Sequence, residues 1–247
     1  ESVLIPSAAE VNNIIGEVET AKIEPYTQKA LASTLMDPSK LKSGKISSSK
    51  TDDEIGTTTF KLSNGATVII KPTNFKNDEV IFRAFSKGGH SLVNDADYYS
   101  ASYAGAVVNQ SGVAGFSAMD LSNMLKGKST SLGVSIGQLS ESMAGNTIPK
   151  ETETLLQLVH LYFTAPRKDK DAFESYKTRQ KQLYANLGAD PQIFFNVEFQ
   201  KLMTQNHPRG GSLPKPENFD QINLDRSQQI YKERFANAAD FTFLFVG

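Results

Sequence analysis

The sequence predicts an α+β fold in which a mostly antiparallel or mixed sheet carries its helices on one face. Two observations lead to this prediction. The β-rich runs are joined by short turns, and short turns pair neighbouring strands antiparallel. The helical segments come in blocks instead of alternating with strands, which argues against a doubly wound sheet. The predicted order in the main body is β-β-β-α-α-β-β-α-α-α-α-β, without an internal repeat.

Composition limits the possible functions. The 247 residues are 39% hydrophobic and 21% charged, as is usual for a globular protein. A net charge of −1 offers no basic surface for nucleic acid, and no apolar run is long enough to span a bilayer. The sequence has no cysteine, so disulfides, thiolate zinc sites and cysteine nucleophiles are excluded. We expect neither a nucleic-acid partner nor a transmembrane segment.

The first part of the chain is predicted to be a helix and a tether. Ser7 and Glu10 form a capping box that begins a helix over residues 6–23. Residues 33–56 lack any periodicity and are rich in Ser, Lys and Asp. Their lysines would suit a nucleic-acid arm, but the neighbouring acidic residues favour a solvated linker. The start at Glu1 and the end within the apolar run "FTFLFVG" indicate a piece of a longer protein.

The main body opens with strands. Two β-rich runs flank Asn64-Gly65, the strongest short hairpin signal, and a third strand covers residues 79–86. A helix follows, with Asp95 or Asp97 as its cap. A second helix over "SAMDLSNMLKG" stops at Gly127, and "STSLGVSIG" and "LSESMAGNT" form two further strands.

Four more helices and a final strand complete the prediction. Pro149 suits the first position of one helix, Asp169 caps the next, and Asp190-Pro191 begins the third. A loop rich in Pro and Gly precedes the last helix, which we predict to be capped by Asp225. The strand "DFTFLFVG" ends the chain.

Few residues offer chemistry. His90 lies in a Gly-Gly loop after a strand, but no second metal ligand follows at i+3 or i+4. His160 sits in an apolar helix and is predicted to pack there. His207, beside Arg209, could bind a carboxylate or another anion, although a Pro-Gly turn accounts for the same residues. No nucleophile elbow or phosphate loop is present, and Asn109-Gln110-Ser111 matches a glycosylation sequon to which we assign no role.

Several stretches resemble the pitrilysin/insulinase family of zinc peptidases. "TTTFKLSNGATVIIKPTNFKNDEVIFRAFSKGG" resembles the family's opening hairpin and third strand, and "LYFTAPRKDKDAFESYKTR" resembles a helix, a proline and the following helix. "NHPRGG" is similar to its "H-P-Y-G" loop, and "IYKERFANAADFTFLFVG" to its final helix and strand. The resemblance covers residues 57–247 and is closest to the third of four homologous domains in long bacterial members.

The resemblance implies that a zinc site has been lost. Active members carry H-x-x-E-H on the helix after the third strand, where two histidines bind zinc and the glutamate activates water. That motif falls near Tyr103-Ala104-Gly105-Ala106-Val107. The third ligand, a glutamate on a later helix, falls near Leu183, where this chain has no carboxylate. No catalytic residue, metal site or cofactor is therefore expected here.

The resemblance also implies a domain arrangement and a role. Residues 1–32 would hold the C-terminal helix of a preceding domain, 33–56 the linker between two halves, and 57–247 a non-catalytic peptidase-homology domain. Such a domain would form part of a closed chamber opposite an active zinc-binding domain of the same chain, with peptides as substrates. His90, His207 and Arg209 are candidate chamber-facing contacts. The alternative is an assembly or peptide-binding module in a parent protein without peptidase activity. Related proteins are commonly exported to the bacterial envelope.

Overall fold

The computed structural model describes residues 6–22, 34–210 and 213–247. The chain divides into two compact units, residues 1–32 and residues 33–247. In the first unit, Ser7 and Glu10 form the predicted capping box, and helix α1 runs from Ala8 to Thr20. Residue 23, the predicted end of this helix, and residue 33, the predicted start of the linker, lie outside the described residues. None of the helices in these ranges has the length and hydropathy needed to span a bilayer.

The second unit is built on a mixed sheet, and the predicted fold class is confirmed. Neighbouring strands pair antiparallel except the third and the last, which pair in parallel. The spatial order in the described residues is β1-β2-β3-β7-β4-β6-β5. The strands are β1 (Ile46–Asp52), β2 (Thr57–Leu62), β3 (Thr67–Lys71), β4 (Val80–Lys87), β5 (Ser131–Ile136), β6 (Ser140–Thr147) and β7 (Thr242–Val246).

The helices cover one face of this sheet. In β4 the side chains alternate strictly, so Phe82 and Ala84 are buried while Ile81 and Phe85 are exposed. The helices are α2 (Tyr98–Ser102), α3 (Ala104–Ser111), α4 (Ala118–Met124), α5 (Thr152–Thr164), α6 (Lys170–Leu187), α7 (Pro191–Met203) and α8 (Leu224–Arg234).

The hairpin signal and several caps are confirmed. Gly65 takes a φ of 93°, which a glycine adopts without strain, and the Asn64 side chain accepts a hydrogen bond from the Ala66 amide at 3.1 Å. The Asp169 carboxylate accepts from the Ala172 amide at 3.0 Å and caps α6. The Asp190 carboxylate caps α7 in the same way.

The caps predicted at Asp95 and Asp225 are wrong, and Asp97 stands at the N-cap position of α2 without a capping hydrogen bond from its side chain. Asn94 accepts from the Asp97 amide at 2.9 Å, and Asn223 accepts from the Arg226 amide at 2.9 Å. An Asn and an Asp side chain cap equally well, so local sequence does not decide between adjacent candidates. The three carboxylates instead form ion pairs with distant residues.

The predicted linker contains a strand. Within residues 33–56, the segment Ile46–Asp52 forms β1 and pairs with β2 at the edge of the sheet. The predicted linker therefore includes one strand of the sheet. All seven residues of β1 are exposed, so the strand buries neither face and shows no apolar alternation that a sequence could reveal.

Candidate functional site

The segment predicted to align with the zinc motif, residues 103–107, lies where two short helices meet. Tyr103 ends α2 and precedes α3 with φ −103° and ψ 0°, so the single helix expected here is interrupted. Ala104 and Val107 are completely buried, and Gly105 is buried as well. Three of the five residues of the segment are therefore buried, and Tyr103 and Ala106 are partly exposed.

Tyr103 and Val107 belong to a second, smaller core. Its buried members are Val107, Phe173, Phe219 and Ile222, with Tyr103 and Tyr184 packed against them. The Tyr103 and Tyr184 rings lie 5.2 Å and 5.0 Å from the Phe219 ring. Phe219 is completely buried, so the two partly buried tyrosines pack against an enclosed ring.

The phenols of Tyr103 and Tyr176 have raised pKa values. Burial raises the pKa of Tyr103 far above its ordinary value, and the neighbouring Tyr184, which also hydrogen-bonds to it, raises it further. Burial likewise raises the pKa of Tyr176 to about 12, with Tyr184 adding to the effect. At neutral pH both side chains are therefore uncharged.

Near the predicted third-ligand position, Tyr184 and not Leu183 points into the protein. Leu183 is 49% exposed, whereas its neighbour Tyr184 reaches the Phe219 ring. A shift of one residue on a helix turns a side chain by about 100°, so a count along the sequence does not fix which residue points inward. Tyr184, Tyr176 and Phe219 were not singled out from the sequence. They carry no signal beyond being aromatic.

The three candidate contacts His90, His207 and Arg209 come together at the Gly88–Gly89 loop. The Arg209 side chain donates to the His90 carbonyl at 3.1 Å and to the Val93 carbonyl at 2.8 Å. The backbone amide of Arg209 donates to the His207 Nδ1 atom at 3.1 Å. His90 is more than 100 positions from His207 and Arg209 in the sequence, and the fold brings Arg209 into contact with the loop that follows β4.

Arg209 acts as a connection between two loops. Its Nε donates to the Asp95 carboxylate at 2.9 Å, and its guanidinium carbon lies 5.2 Å from the Tyr98 ring centroid. The side chain is only 16% exposed. Since its donors are directed at Asp95 and two carbonyls, Arg209 holds the loop before α2 and presents little of its charge to an outside anion.

His90 packs edge-on against Tyr98, with ring centroids 5.2 Å apart. Its Nδ1 atom is buried, and no group in the described part of the chain hydrogen-bonds to it. Burial lowers the pKa of His90, and the positive charge of Arg209 lowers it further. His90 is therefore a neutral, packed side chain at neutral pH.

Two curated proteins are similar to this chain in sequence. No family model matches the sequence. The chain is 27% identical over 181 residues to a protein named zinc protease PQQL-like from Arabidopsis thaliana, covering 71% of this chain and 18% of that protein. It is 23% identical over 206 residues to zinc protease PqqL from Haemophilus influenzae, covering 83% of this chain and 22% of that protein. The chain thus spans about a fifth of the length of these relatives.

Solved structures share the fold. The periplasmic protease PqqL from Escherichia coli matches with a TM-score of 0.70 at 21% identity, over 98% of this chain and 26% of that chain. The ferredoxin protease FusC, solved with Arabidopsis ferredoxin, matches with a TM-score of 0.73 at 21% identity, over 100% of this chain and 27% of that chain. A peptidase M16 inactive domain from Pseudomonas fluorescens matches with 0.62 at 16% identity, over 77% of this chain and 46% of that chain.

The chain is thus similar to proteins named zinc proteases, and it shares its fold with M16, or pitrilysin/insulinase-like, peptidases and with an M16 inactive domain.

Zinc does not fit the residues predicted to align with the zinc motif. Zinc in proteins is bound by imidazole, thiolate or carboxylate groups. Tyr103, Ala106 and Val107, at the predicted motif positions, carry none of these groups, and neither do Leu183 and Tyr184 on α6. Across residues 6–22, 34–210 and 213–247, no three His, Cys, Asp or Glu side chains form a group that could hold a metal ion. Val107 is instead part of a packed core, against which Tyr103 and Tyr184 lie.

Proposed function

We propose that this chain is a non-catalytic lobe of a zinc-dependent endopeptidase and forms part of a closed substrate chamber opposite an active domain. The observation that carries the proposal is the aromatic cluster in which Tyr103, at a predicted ligand position, and Tyr184 pack against the buried ring of Phe219. Without a ligand set there is no activated water and no general base at this place. The lobe contributes shape and contacts rather than chemistry.

In this proposal, the catalytic zinc site lies in a part of the longer protein outside the 247 residues of this chain. The chain covers 18% and 22% of its two zinc-protease relatives, so the zinc site and the H-x-x-E-H motif belong to another domain of the same longer protein. Residues 1–32 carry the last helix of a preceding domain, and residues 33–56 connect the two halves. Peptides are the substrates, since FusC was solved with a ferredoxin and both relatives are named proteases. His90, His207 and Arg209 shape the wall beside the Gly88–Gly89 loop.

A second function is favoured by one observation on α7. Five large apolar side chains of this helix are between 50% and 76% exposed, namely Phe194, Phe195, Phe199, Leu202 and Met203. Exposed apolar faces of this kind mark interaction surfaces. A non-catalytic assembly or peptide-binding module, in a parent protein without peptidase activity, would use such a face.

The first experiment tests the absence of catalysis. The purified chain is incubated with quenched-fluorescent peptides, with and without added zinc, and its metal content is measured by emission spectroscopy. We expect no cleavage and no stoichiometric zinc. Cleavage that survives repurification and stops on addition of a chelator would refute the proposal.

The second experiment separates the two functions. The full-length parent is assayed on the same peptides beside a variant in which the glutamate of its H-x-x-E-H is replaced by glutamine. Cleavage by the parent that the variant lacks supports the chamber wall. A parent without the motif and without cleavage supports the assembly module.

A further inference from the structure

The two edge strands of the sheet differ in how far they are covered by the rest of the chain. An edge strand exposes backbone N–H and C=O groups that another extended chain can pair with. At one edge, β1 is exposed along all seven residues. At the other edge, β5 lies against α3, whose Gly105 comes close to the strand backbone.

The outward groups of β5 include those of Val134. The Gly137 amide donates to the Ser140 carbonyl at 2.8 Å and closes the turn between β5 and β6. Counting back along the register from this bonded pair, Ser135 is bonded to Ser142, and Val134 opposite Met143 is not. The N–H and C=O groups of Val134 therefore point away from β6, towards the free edge.

The Asn109 side chain occupies both of these groups. Its Nδ2 atom donates to the Val134 carbonyl at 2.9 Å, and the Val134 amide donates to its Oδ1 atom at 3.2 Å. A carboxamide has the same donor and acceptor as a backbone peptide group. Asn109 thus makes the pair of hydrogen bonds that a residue of an adjacent strand would make.

Gly105 lets Asn109 reach the strand. The two residues are four positions apart on α3 and share one face of the helix. A Cβ atom at Gly105 would lie 2.8 Å from the Ser135 Cα atom and 2.9 Å from the Val134 carbonyl oxygen. Only a residue without a side chain allows this approach, which brings the next turn of α3 within hydrogen-bond reach of β5.

The adjacent loop closes the end of the same edge. The His90 amide donates to the Gly137 carbonyl at 2.8 Å, and the Ser91 amide donates to the Gln138 carbonyl at 2.9 Å. Together with Asn109, these contacts leave β5 covered both at its centre and beyond its last residue.

We propose that Asn109 is an intramolecular stand-in for an added strand and keeps the β5 edge closed to extended peptides and to second copies of the chain. Peptide binding through backbone pairing at this edge then requires that Asn109 be displaced. The inference goes beyond the proposed function, because it holds whether or not the parent protein cleaves peptides.

The first test measures amide hydrogen exchange at Val134 by NMR in the full chain. In Asn109→Ala the amide loses its acceptor, and we expect its exchange to become about tenfold faster or more, since one hydrogen bond contributes about that factor. Gln110→Ala, one residue along the same helix, is the matched control and leaves exchange at Val134 unchanged. The β1 amides that point outward provide an open-edge reference within the same molecule. Unchanged exchange in Asn109→Ala overturns the proposal.

The second test asks whether the edge opens. The probe is a fluorescein-labelled, end-capped heptapeptide of alternating Thr and Val, titrated by anisotropy, with sedimentation velocity to detect self-association. We expect neither binding nor association for the wild type and Gln110→Ala, and one or both for Asn109→Ala, with NMR shifts at residues 132–136. Should Asn109→Ala fail to fold, Asn109→Ser keeps a polar residue that is too short to reach Val134. A variant that neither binds nor associates, or a wild type that binds at these residues, overturns the proposal.

Discussion

The ring of Tyr103 lies 5.2 Å from the ring of Phe219, at the place where we predict the first histidine of the zinc motif to align. Phe219 comes from the segment before α8, and it also contacts Tyr184 on α6. One buried phenylalanine therefore packs against both the junction of α2 with α3 and α6. Apolar packing holds these elements together at this place.

Truncation of Phe219 is expected to destabilise the fold strongly. Phe219 is completely buried, so Phe219→Ala leaves a cavity among Tyr103, Tyr184 and Val107 and costs about 3–5 kcal/mol of unfolding free energy. Urea unfolding followed by circular dichroism gives the value. Phe75→Ala is the control, because Phe75 is 87% exposed and its loss should change stability by less than about 0.5 kcal/mol. Equal stability of the two variants would mean that the cluster is not a packed core.

A methyl group at Gly105 is expected to push α3 away from β5. The atoms that its Cβ would meet, 2.8 and 2.9 Å away, are backbone atoms of Ser135 and Val134, and backbone atoms move less easily than a side-chain end. Gly105→Ala should therefore lower the unfolding free energy by about 1–3 kcal/mol, although alanine favours a helix. Gly115→Ala is the control, since no atom lies within 4 Å of its Cβ position. A Gly105→Ala protein as stable as the control would contradict the close contact.

Local signals in the sequence predicted much of this fold. Asn64-Gly65 and Asp190-Pro191 specify a turn and a helix start through groups within three residues, so they can be identified without knowing the rest of the chain. The parallel pairing of β3 with β7 and the exposed strand β1 have no such local cause. The first depends on how the intervening helices pack, and the second shows no apolar alternation.

The absence of zinc ligands from the candidate site could be predicted from the sequence, but the aromatic residues that pack there could not. Counting from the Gly-Gly loop pointed to Tyr103 and Val107, and the structure packs both in one small core. On α6 the count pointed to the exposed Leu183, whereas its neighbour Tyr184 reaches this core, because the direction of a side chain on a helix depends on tertiary contacts. Only the structure showed that Phe219 is buried, because the sequence around it has no pattern that indicates burial.

Removal of the Arg209 side chain is expected to loosen the loop before α2. Arg209→Ala loses hydrogen bonds to the His90 and Val93 carbonyls and to the Asp95 carboxylate, which should lower the unfolding free energy by about 1–3 kcal/mol. Arg209→Lys should recover little, since one ammonium group cannot reproduce the planar set of donors. Lys76→Ala, which removes an exposed ion pair with Glu79, is the control and should have almost no effect. Full recovery by lysine would indicate that only the charge matters.

His90 is expected to make stability depend on pH just below 6.5. Its folded-state pKa is lowered from 6.5 by burial and by Arg209, so the neutral form is favoured in the fold and a proton is taken up on unfolding. Because the unfolded chain binds more protons in this window, stability rises with pH through it. The contribution of His90 is complete above about pH 6.5 and is lost as the pH falls towards its folded-state pKa.

Urea unfolding at a series of pH values, for the wild type and His90→Gln, gives the difference between their free energies. That difference should be constant above about pH 6.5 and should move in favour of His90→Gln below it, where the variant has no proton to bind. Two parallel curves across the window would show that protonation of His90 is not coupled to folding.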